Sequence, residues 1–198
     1  MNETKINTVH LLDNVTEIRK KYDEIARITG ANFNIFKVLK MEHKEVHPHS
    51  SLISELLNEK GSHGQGNLFL NLFLKIINNR IDNTDRKIDY FINSYSDVEY
   101  GLDQISNDGT EGGRLDIIVE DSNQLIIIEN KIGADDQKNQ LLRYYNFAKK
   151  TNKKFIILYL WKFDYELTEK DDQYTLGETT EQRKAVLEKT LTISYQTD

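Results

Sequence analysis

Two apolar runs decide the fold of this chain: Gly113-Arg114-Leu115-Asp116-Ile117-Ile118-Val119 and Gln124-Leu125-Ile126-Ile127-Ile128-Glu129-Asn130-Lys131. Because both runs are rich in Ile and Val and are joined by a short polar turn, they predict a β-hairpin. Three charged residues, Asp116, Glu129 and Lys131, stand in these otherwise apolar strands. An ionised group that is buried without a partner is very costly, so these charges need compensation, which a divalent cation between the two carboxylates would supply.

The composition is that of a single globular domain. The chain has 198 residues, of which 38% are hydrophobic and 29% are charged, which suffices for one sizeable core. It contains no cysteine, which excludes disulfides, thiolate zinc sites and cysteine nucleophiles and suits the cytoplasmic location that we expect. The N-terminus lacks the apolar segment of a signal peptide, and the apolar runs are too short to span a membrane, so no membrane partner is expected.

The net charge of −6 at pH 7 argues weakly against a protein that coats nucleic acid through charge. It does not exclude an enzyme with a local basic groove, because the acidic ligands of a metal site lower the formal charge until the metal binds. The best candidate for such a basic patch is the group Lys138, Arg143, Lys149, Lys150, Lys153 and Lys154. A solvated helix face explains this group equally well.

The order of the predicted elements places the hairpin in a mixed sheet. Apolar spacing predicts helices over about 9–29, 33–41, 50–60 and 67–78, the third of them starting at His49-Ser50-Ser51 after Pro48, with serine as its cap. A strand is predicted over 88–100, followed by the hairpin, a loop and helix cap at 133–136, a helix to residue 150, a strand over 155–161, a helix over 178–189 and a strand over 191–195. Strands that are separated by a helix pair in parallel, so we predict an α/β fold with a mixed central sheet flanked by helices. We expect one domain, 1–198, with a helical part at about 1–80 and a catalytic core at about 88–195.

The three charged residues of the hairpin suit a specific chemistry. Asp116 and Glu129 lie on neighbouring strands within reach of one cation, and Lys131, two residues beyond Glu129, projects to the same face. Mg²⁺ and Mn²⁺ prefer such oxygen ligands. The metal would polarise a phosphoryl oxygen and lower the pKa of a bound water, and the lysine would position or deprotonate that water or stabilise charge on the phosphate. This pattern predicts phosphodiester hydrolysis.

These residues resemble the motif of the PD-(D/E)XK nuclease superfamily, with Asp116 as the D, Glu129 as the (D/E) and Lys131 as the K. Gln140 and Tyr144 match the Q-x-x-x-Y arrangement of RecB-type and related members, in which these side chains support the active site. The resemblance implies a restriction-endonuclease-like sheet preceded by N-terminal helices. It also implies that these five residues form the catalytic set.

Upstream segments extend the resemblance to a bacterial subfamily and to roughly residues 33–160. They are Glu45-Val46-His47-Pro48-His49-Ser50, Leu56-Leu57-Asn58, Gly61-Ser62-His63-Gly64-Gln65-Gly66 and Phe69-Leu70. Many superfamily members have a glutamate on the first core helix that joins the metal shell, which Glu45 matches, with Glu42 as the alternative. The implied metal ligands are therefore Asp116, Glu129, the backbone carbonyl of Asn130, and Glu45.

Two features depart from the superfamily pattern. Leu115 stands where the superfamily name has proline, a position that commonly varies. The chain also stops at Asp198, where relatives continue into another helix, so we expect a shortened C-terminus.

The resemblance implies an endonuclease that depends on Mg²⁺ or Mn²⁺ and acts on DNA, in bacterial defence against foreign DNA or in repair. Arg114, Lys138 and Arg143 are the candidates for contacting nucleic acid, although Arg114 is equally suited to pairing with Asp116 or Glu99. A homodimer and partner proteins of a defence system are the protein partners that the resemblance implies.

Other interpretations stay open on the sequence alone. The residues Asp116, Glu129 and Lys131 could form an exposed salt-bridge cluster at a strand end. The domain could be an inactive binding or regulatory module that keeps the fold, or a ribonuclease or toxin that uses the same site. Four histidines fall within 21 residues, but their spacing suits zinc poorly. The glycine-rich segment 61–66 lacks the ending of a phosphate-binding loop.

Overall fold

A computed structural model describes the chain over residues 2–29, 45–133, 135–170 and 172–196, with side chains over 10–25, 48–133, 135–170 and 172–196. It divides into two compact units, Met1–Glu42 and His43–Asp198. The prediction of one domain over 1–198 stays a prediction. None of the helices in the described ranges carries an apolar stretch of the length needed to cross a lipid bilayer.

The described part of the first unit is a long helix, α1 (Asn2–Thr29), which includes the helix predicted over 9–29. Its apolar residues recur every three or four positions, as the helical spacing requires. Leu11, Val15, Ile18, Tyr22 and Ile25 are each more than half exposed. The helix predicted over 33–41 lies outside the described residues.

The second unit alternates helices and strands around one sheet. A π-helical turn (Glu45–Ser50) leads into α2 (Ser51–Leu57) and α3 (Leu68–Asn79), and a short 3₁₀ helix follows at Thr84–Arg86. The remaining helices are α4 (Gln140–Lys150), α5 (Gln173–Leu176) and α6 (Thr180–Lys189). The strands are β1 (Tyr95–Gly101), β2 (Arg114–Glu120), β3 (Gln124–Lys131), β4 (Lys154–Trp161) and β5 (Thr190–Ser194).

The sheet is mixed, as predicted. Its strand order is β1-β2-β3-β4-β5. The hairpin forms by antiparallel pairing of β2 with β3, in which Ile117 lies opposite Ile128, and β1 adds to β2 antiparallel. After the helical connection through α4, β4 pairs with β3 in parallel. After the connection through α5 and α6, β5 pairs with β4 in parallel. The fold is therefore the restriction-endonuclease-like α/β arrangement that the sequence predicts.

Helices cover both faces of the sheet and divide the core into two layers. On one face, residues of α2 and α3 pack with Ile117, Ile126 and Ile128. On the other face, residues of α4 and α6 pack with Ile118 and Ile127. All eight residues of β3 are buried. Since side chains alternate along a strand, Glu129 and Lys131 at the end of β3 point to the face that α4 covers.

Two local predictions are wrong. The strand predicted over 88–100 begins only at Tyr95, because Ile88 and Phe91 are buried as loop residues instead. The amide side chain of Asn78 holds the loop, bonding both the N–H and the carbonyl of Ile88 at 2.9 and 2.7 Å.

The helix start near Pro48 also differs from the prediction. Pro48 lies within the π-helical turn, and Ser50 makes no side-chain cap bond to α2. Its hydroxyl instead accepts a bond of 3.0 Å from the amide of Asn130. The short helix α5 was not predicted, because four residues are too few to show a helical period.

Candidate active site

Glu129 lies at the centre of the site on β3 and is only 2% exposed. Its Oε1 accepts hydrogen bonds from Gln140 Nε2 at 2.8 Å and from Lys131 Nζ at 2.9 Å. Its Oε2 accepts from the hydroxyl of Tyr144 at 2.6 Å. A buried carboxylate whose two oxygens both accept hydrogen bonds in this way has one fixed orientation.

The ammonium of Lys131 is as buried as the carboxylate beside it, with 3% exposure. Besides Glu129, it donates to Gln140 Oε1 at 3.0 Å and to the carbonyl of Asp135 at 3.1 Å. A protonated lysine has three N–H donors, so these acceptors use all of them. Asp136 Oδ1 lies 3.6 Å from the same nitrogen and adds a second negative charge.

Gln140 and Tyr144 lie one turn apart at the start of α4, which puts both side chains on one helix face. The Gln140 amide donates to the Tyr144 hydroxyl at 3.0 Å as well as to Glu129. The Tyr144 hydroxyl also lies 2.9 Å from the carbonyl of Arg114. The Q-x-x-x-Y pair thus connects β3 to β2, and the structure brings both residues into the site.

Asp116 reaches the same strand end from β2. Its Oδ2 accepts a bond of 3.0 Å from the backbone N–H of Asn130, which lies between Glu129 and Lys131. The alternation of β2 is interrupted here, because Leu115 packs in the same layer as Ile118 rather than with Ile117. This interruption occurs where the carboxylate turns toward the end of β3.

Burial and neighbouring charges together shift the pKa values of Glu129 and Lys131. Burial and the nearby charge of Asp116 raise the pKa of Glu129 to about 7, while Lys131 and Tyr144 act in the opposite sense. Burial alone lowers the pKa of Lys131, but the neighbouring carboxylates outweigh it and raise that pKa above its usual value. The two acids therefore repel each other, and a cation bound between them would relieve this repulsion.

The residues present fit a hard divalent metal ion. Asp116 and Glu129 supply carboxylate oxygens, the ligands that Mg²⁺ and Mn²⁺ prefer. Within the described ranges, no group of three or more His, Cys, Asp and Glu side chains is placed to hold a metal, so water, substrate or backbone oxygens would complete the shell. The side chain of Glu45 lies outside the described residues, and its role stays a prediction, as does that of the Asn130 carbonyl.

The three candidates for contacting nucleic acid differ in their surroundings. Arg114 is exposed and pairs with Glu99 at 2.9 Å, and Lys138 is exposed and pairs with Glu178 at 2.9 Å. Arg143 is 3% exposed and donates to Gln137 Oε1 at 2.9 Å and to the carbonyl of Lys138. Arg143 therefore ties the preceding loop to α4, and the nucleic-acid contacts of all three residues stay a prediction.

Sequence reasoning missed two residues of the site, Asp136 and Tyr159. The pair Asp135-Asp136 was predicted to cap a helix, but α4 begins later, after Asn139. The hydroxyl of Tyr159 instead lies between the two oxygens of Asp136, at 3.0 and 3.1 Å. The parallel register of β3 and β4 pairs Glu129 with Tyr159. Knowledge of this register would have been needed to predict that Tyr159 lies beside Glu129.

The raised pKa of Glu129 predicts how stability changes with pH in the metal-free protein. The pKa of Glu129 is about 7 in the folded protein, above its ordinary value of 4.5. Between these two pH values the folded state therefore holds a proton that the unfolded chain has lost. This contribution to stability is present below the lower pKa and disappears as the pH rises through the upper one. We expect the free energy of unfolding to fall by on the order of 2 kcal/mol between about pH 5 and 8.

Urea titrations with a chelator present will measure this change. In Glu129→Gln the fall should be largely absent, while Glu188→Gln, which alters an exposed acid of α6, should keep it. Equal pH dependence in Glu129→Gln and the wild type would contradict the assignment to Glu129.

Comparison with known proteins agrees with this geometry. A family model described as the PD-(D/E)XK nuclease superfamily matches residues 33–197, a range that includes every strand of the sheet and all five residues of the predicted catalytic set. No curated protein and no solved structure matches the chain. Members of the superfamily act on nucleic acid and generally use divalent metal ions. The chain belongs to the PD-(D/E)XK nuclease superfamily.

Proposed function

We propose that this protein is a divalent-metal-dependent endonuclease that hydrolyses phosphodiester bonds of DNA. The observation that carries the proposal is the buried group at the end of β3. There the Lys131 ammonium lies 2.9 Å from Glu129, and Asp116 bonds the backbone N–H between them. A buried acid, a second acid and a cation in one corner of a sheet suit the charge that builds up during phosphodiester hydrolysis.

Asp116 and Glu129 would hold the metal, together with the carbonyl of Asn130 and the side chain of Glu45. The ion, when bound, polarises a phosphoryl oxygen and makes a coordinated water more acidic. The protein's own contribution is to keep the ligands in place. Gln140 and Tyr144 do so, because they fix both oxygens of Glu129 and leave the carboxylate little freedom to rotate.

Lys131 would act on the substrate side of the site. Its ammonium would stabilise the negative charge on the phosphate, and it would hold the attacking water by a hydrogen bond in exchange for one of the three acceptors that it contacts in this structure. Its burial makes that charge more effective, because water screens it less. The resemblance extends the proposal to a bacterial cytoplasmic enzyme of defence or repair that works as a homodimer or with partner proteins.

Cleavage assays with purified protein test the proposal. Supercoiled plasmid, single-stranded DNA and RNA are each incubated with Mg²⁺, with Mn²⁺ or with a chelator. We expect plasmid nicking or linearisation with metal only, lost in Asp116→Ala and kept in Asp82→Ala, which changes an exposed acid outside the site. If no substrate is cut with either metal, the proposed activity is wrong. If RNA alone is cut, the substrate class is wrong and the chemistry stands.

A further inference from the structure

The carboxylate of Asp136 lies beside the site, at a position that neither the D…E-x-K set nor the Q-x-x-x-Y pair includes. Its Oδ1 is 3.6 Å from Lys131 Nζ, and its side chain is 23% exposed while that of Lys131 is 3% exposed. The loop that leads from β3 to α4 brings it there. Asp136 is thus the more exposed of these two acids beside the buried ammonium, because Glu129 is 2% exposed.

Asp136 acts on Lys131 through charge rather than through a hydrogen bond. The three N–H donors of the ammonium point to Glu129, Gln140 and the carbonyl of Asp135. The separation of 3.6 Å to Asp136 is too long for a good hydrogen bond. In a buried setting, however, an opposite charge at this distance is strongly attractive.

Tyr159 holds the Asp136 carboxylate in this position. Its hydroxyl contacts both oxygens, at 3.0 and 3.1 Å, and the tyrosine is 1% exposed. The ring of Trp161 stacks on that of Tyr159, with centroids 5.6 Å apart and planes 11° apart. A buried and stacked donor of this kind can fix the acceptor that it contacts.

A second negative charge matters most when a metal is bound. Glu129 is the strongest partner of Lys131 in this structure, yet it is also the proposed metal ligand, so a bound cation would weaken its attraction for the ammonium. Asp136 would keep its attraction unchanged. We propose that Asp136 is a positioning residue that holds the Lys131 ammonium in the active site through its charge, with Tyr159 fixing the carboxylate; this inference rests on the proposed function.

A purely structural role would give different results. If Asp136 only anchored its loop to β4, an amide would serve equally well, because asparagine Oδ1 can still accept the Tyr159 hydrogen bond. Asp136→Asn therefore removes the charge and keeps the anchor, whereas Tyr159→Phe removes the anchor and keeps the charge. Asp82→Asn is the matched control, because it makes the same change at an exposed acid outside the site.

Steady-state cleavage by the full chain with Mg²⁺ is the first test. We expect Asp136→Asn to lower kcat by roughly 10- to 100-fold, as a displaced catalytic group does, with KM and the melting temperature close to those of the wild type. Tyr159→Phe should lose less activity but more stability, and Asp82→Asn should stay near the wild type. If Asp136→Asn and Asp82→Asn have equal kcat, the inference is overturned.

Crystal structures of the wild type and Asp136→Asn with Mg²⁺ provide a test that needs no activity. We expect the ammonium of Lys131 to move away from Gln140 Oε1 in the variant, while the loop and Tyr159 stay in place. An unmoved ammonium would refute the positioning role even if kcat fell. If the wild type itself cleaves nothing, the proposed function fails, and the position of Lys131 still decides this inference.

Discussion

Replacing Lys131 by methionine is expected to reduce the rate of DNA cleavage by about 100- to 1,000-fold, the usual effect of losing one charge-stabilising donor from an active site. Methionine has nearly the length of lysine and fills the buried space, so the fold should persist. What disappears is the cation that bonds Glu129; its other partners among the described residues, Gln140 and Tyr144, are neutral. The phosphate would then develop its charge without a nearby ammonium.

Single-turnover cleavage with saturating Mg²⁺ measures this effect, because it isolates the chemical step from product release. Lys75→Met is the matched control, since Lys75 is an exposed residue of α3 and should keep the wild-type rate. Circular dichroism should show that both variants are folded. A Lys131→Met protein that cleaves within about twofold of the wild type would remove Lys131 from the chemistry.

The hairpin and its site follow from the sequence because both depend on local patterns. Two runs of β-branched residues around a polar turn specify the pairing of β2 with β3, and the two-residue step from Glu129 to Lys131 places both on one face. The four-residue step from Gln140 to Tyr144 gives one helix face in the same way. Spacing places each pair on one face, and the resemblance to the Q-x-x-x-Y arrangement is what implies that this helix face supports the site on β3.

Contacts between distant segments did not follow from the sequence. Asp136 reaches Lys131 because Tyr159, on the next strand, holds it, and no spacing rule connects a loop residue to a strand 23 residues later. Ser50 bonds to Asn130 across 80 residues and so does not serve as the predicted cap. In each case a polar side chain satisfies a buried tertiary partner rather than its own backbone, a choice that tertiary packing determines.

Replacing Glu129 by glutamine is expected to abolish the stabilisation of the protein by Mg²⁺. A metal that binds only the folded state stabilises it by RT ln(1 + [L]/Kd), which is about 2.7 kcal/mol at a hundredfold excess over Kd. The amide keeps the size of the carboxylate, and its single oxygen can still accept either from Lys131 or from Tyr144, which bond different oxygens of Glu129, but it removes the charge that the cation needs. Since it also ends the repulsion with Asp116, the metal-free variant should melt higher than the wild type at about pH 8.

Thermal melts with and without Mg²⁺ distinguish this ligand role from general damage to the site. The wild type and Glu188→Gln should both gain melting temperature with the metal, and Glu129→Gln should gain little while losing cleavage. Asp116→Asn should behave like Glu129→Gln, because either substitution leaves the hairpin with a single carboxylate for the ion. If Glu129→Gln keeps the full metal-dependent gain, the ion binds elsewhere. A higher metal-free melting temperature combined with lost metal response has one physical origin, the removal of a buried charge that only a cation, or a proton, can neutralise.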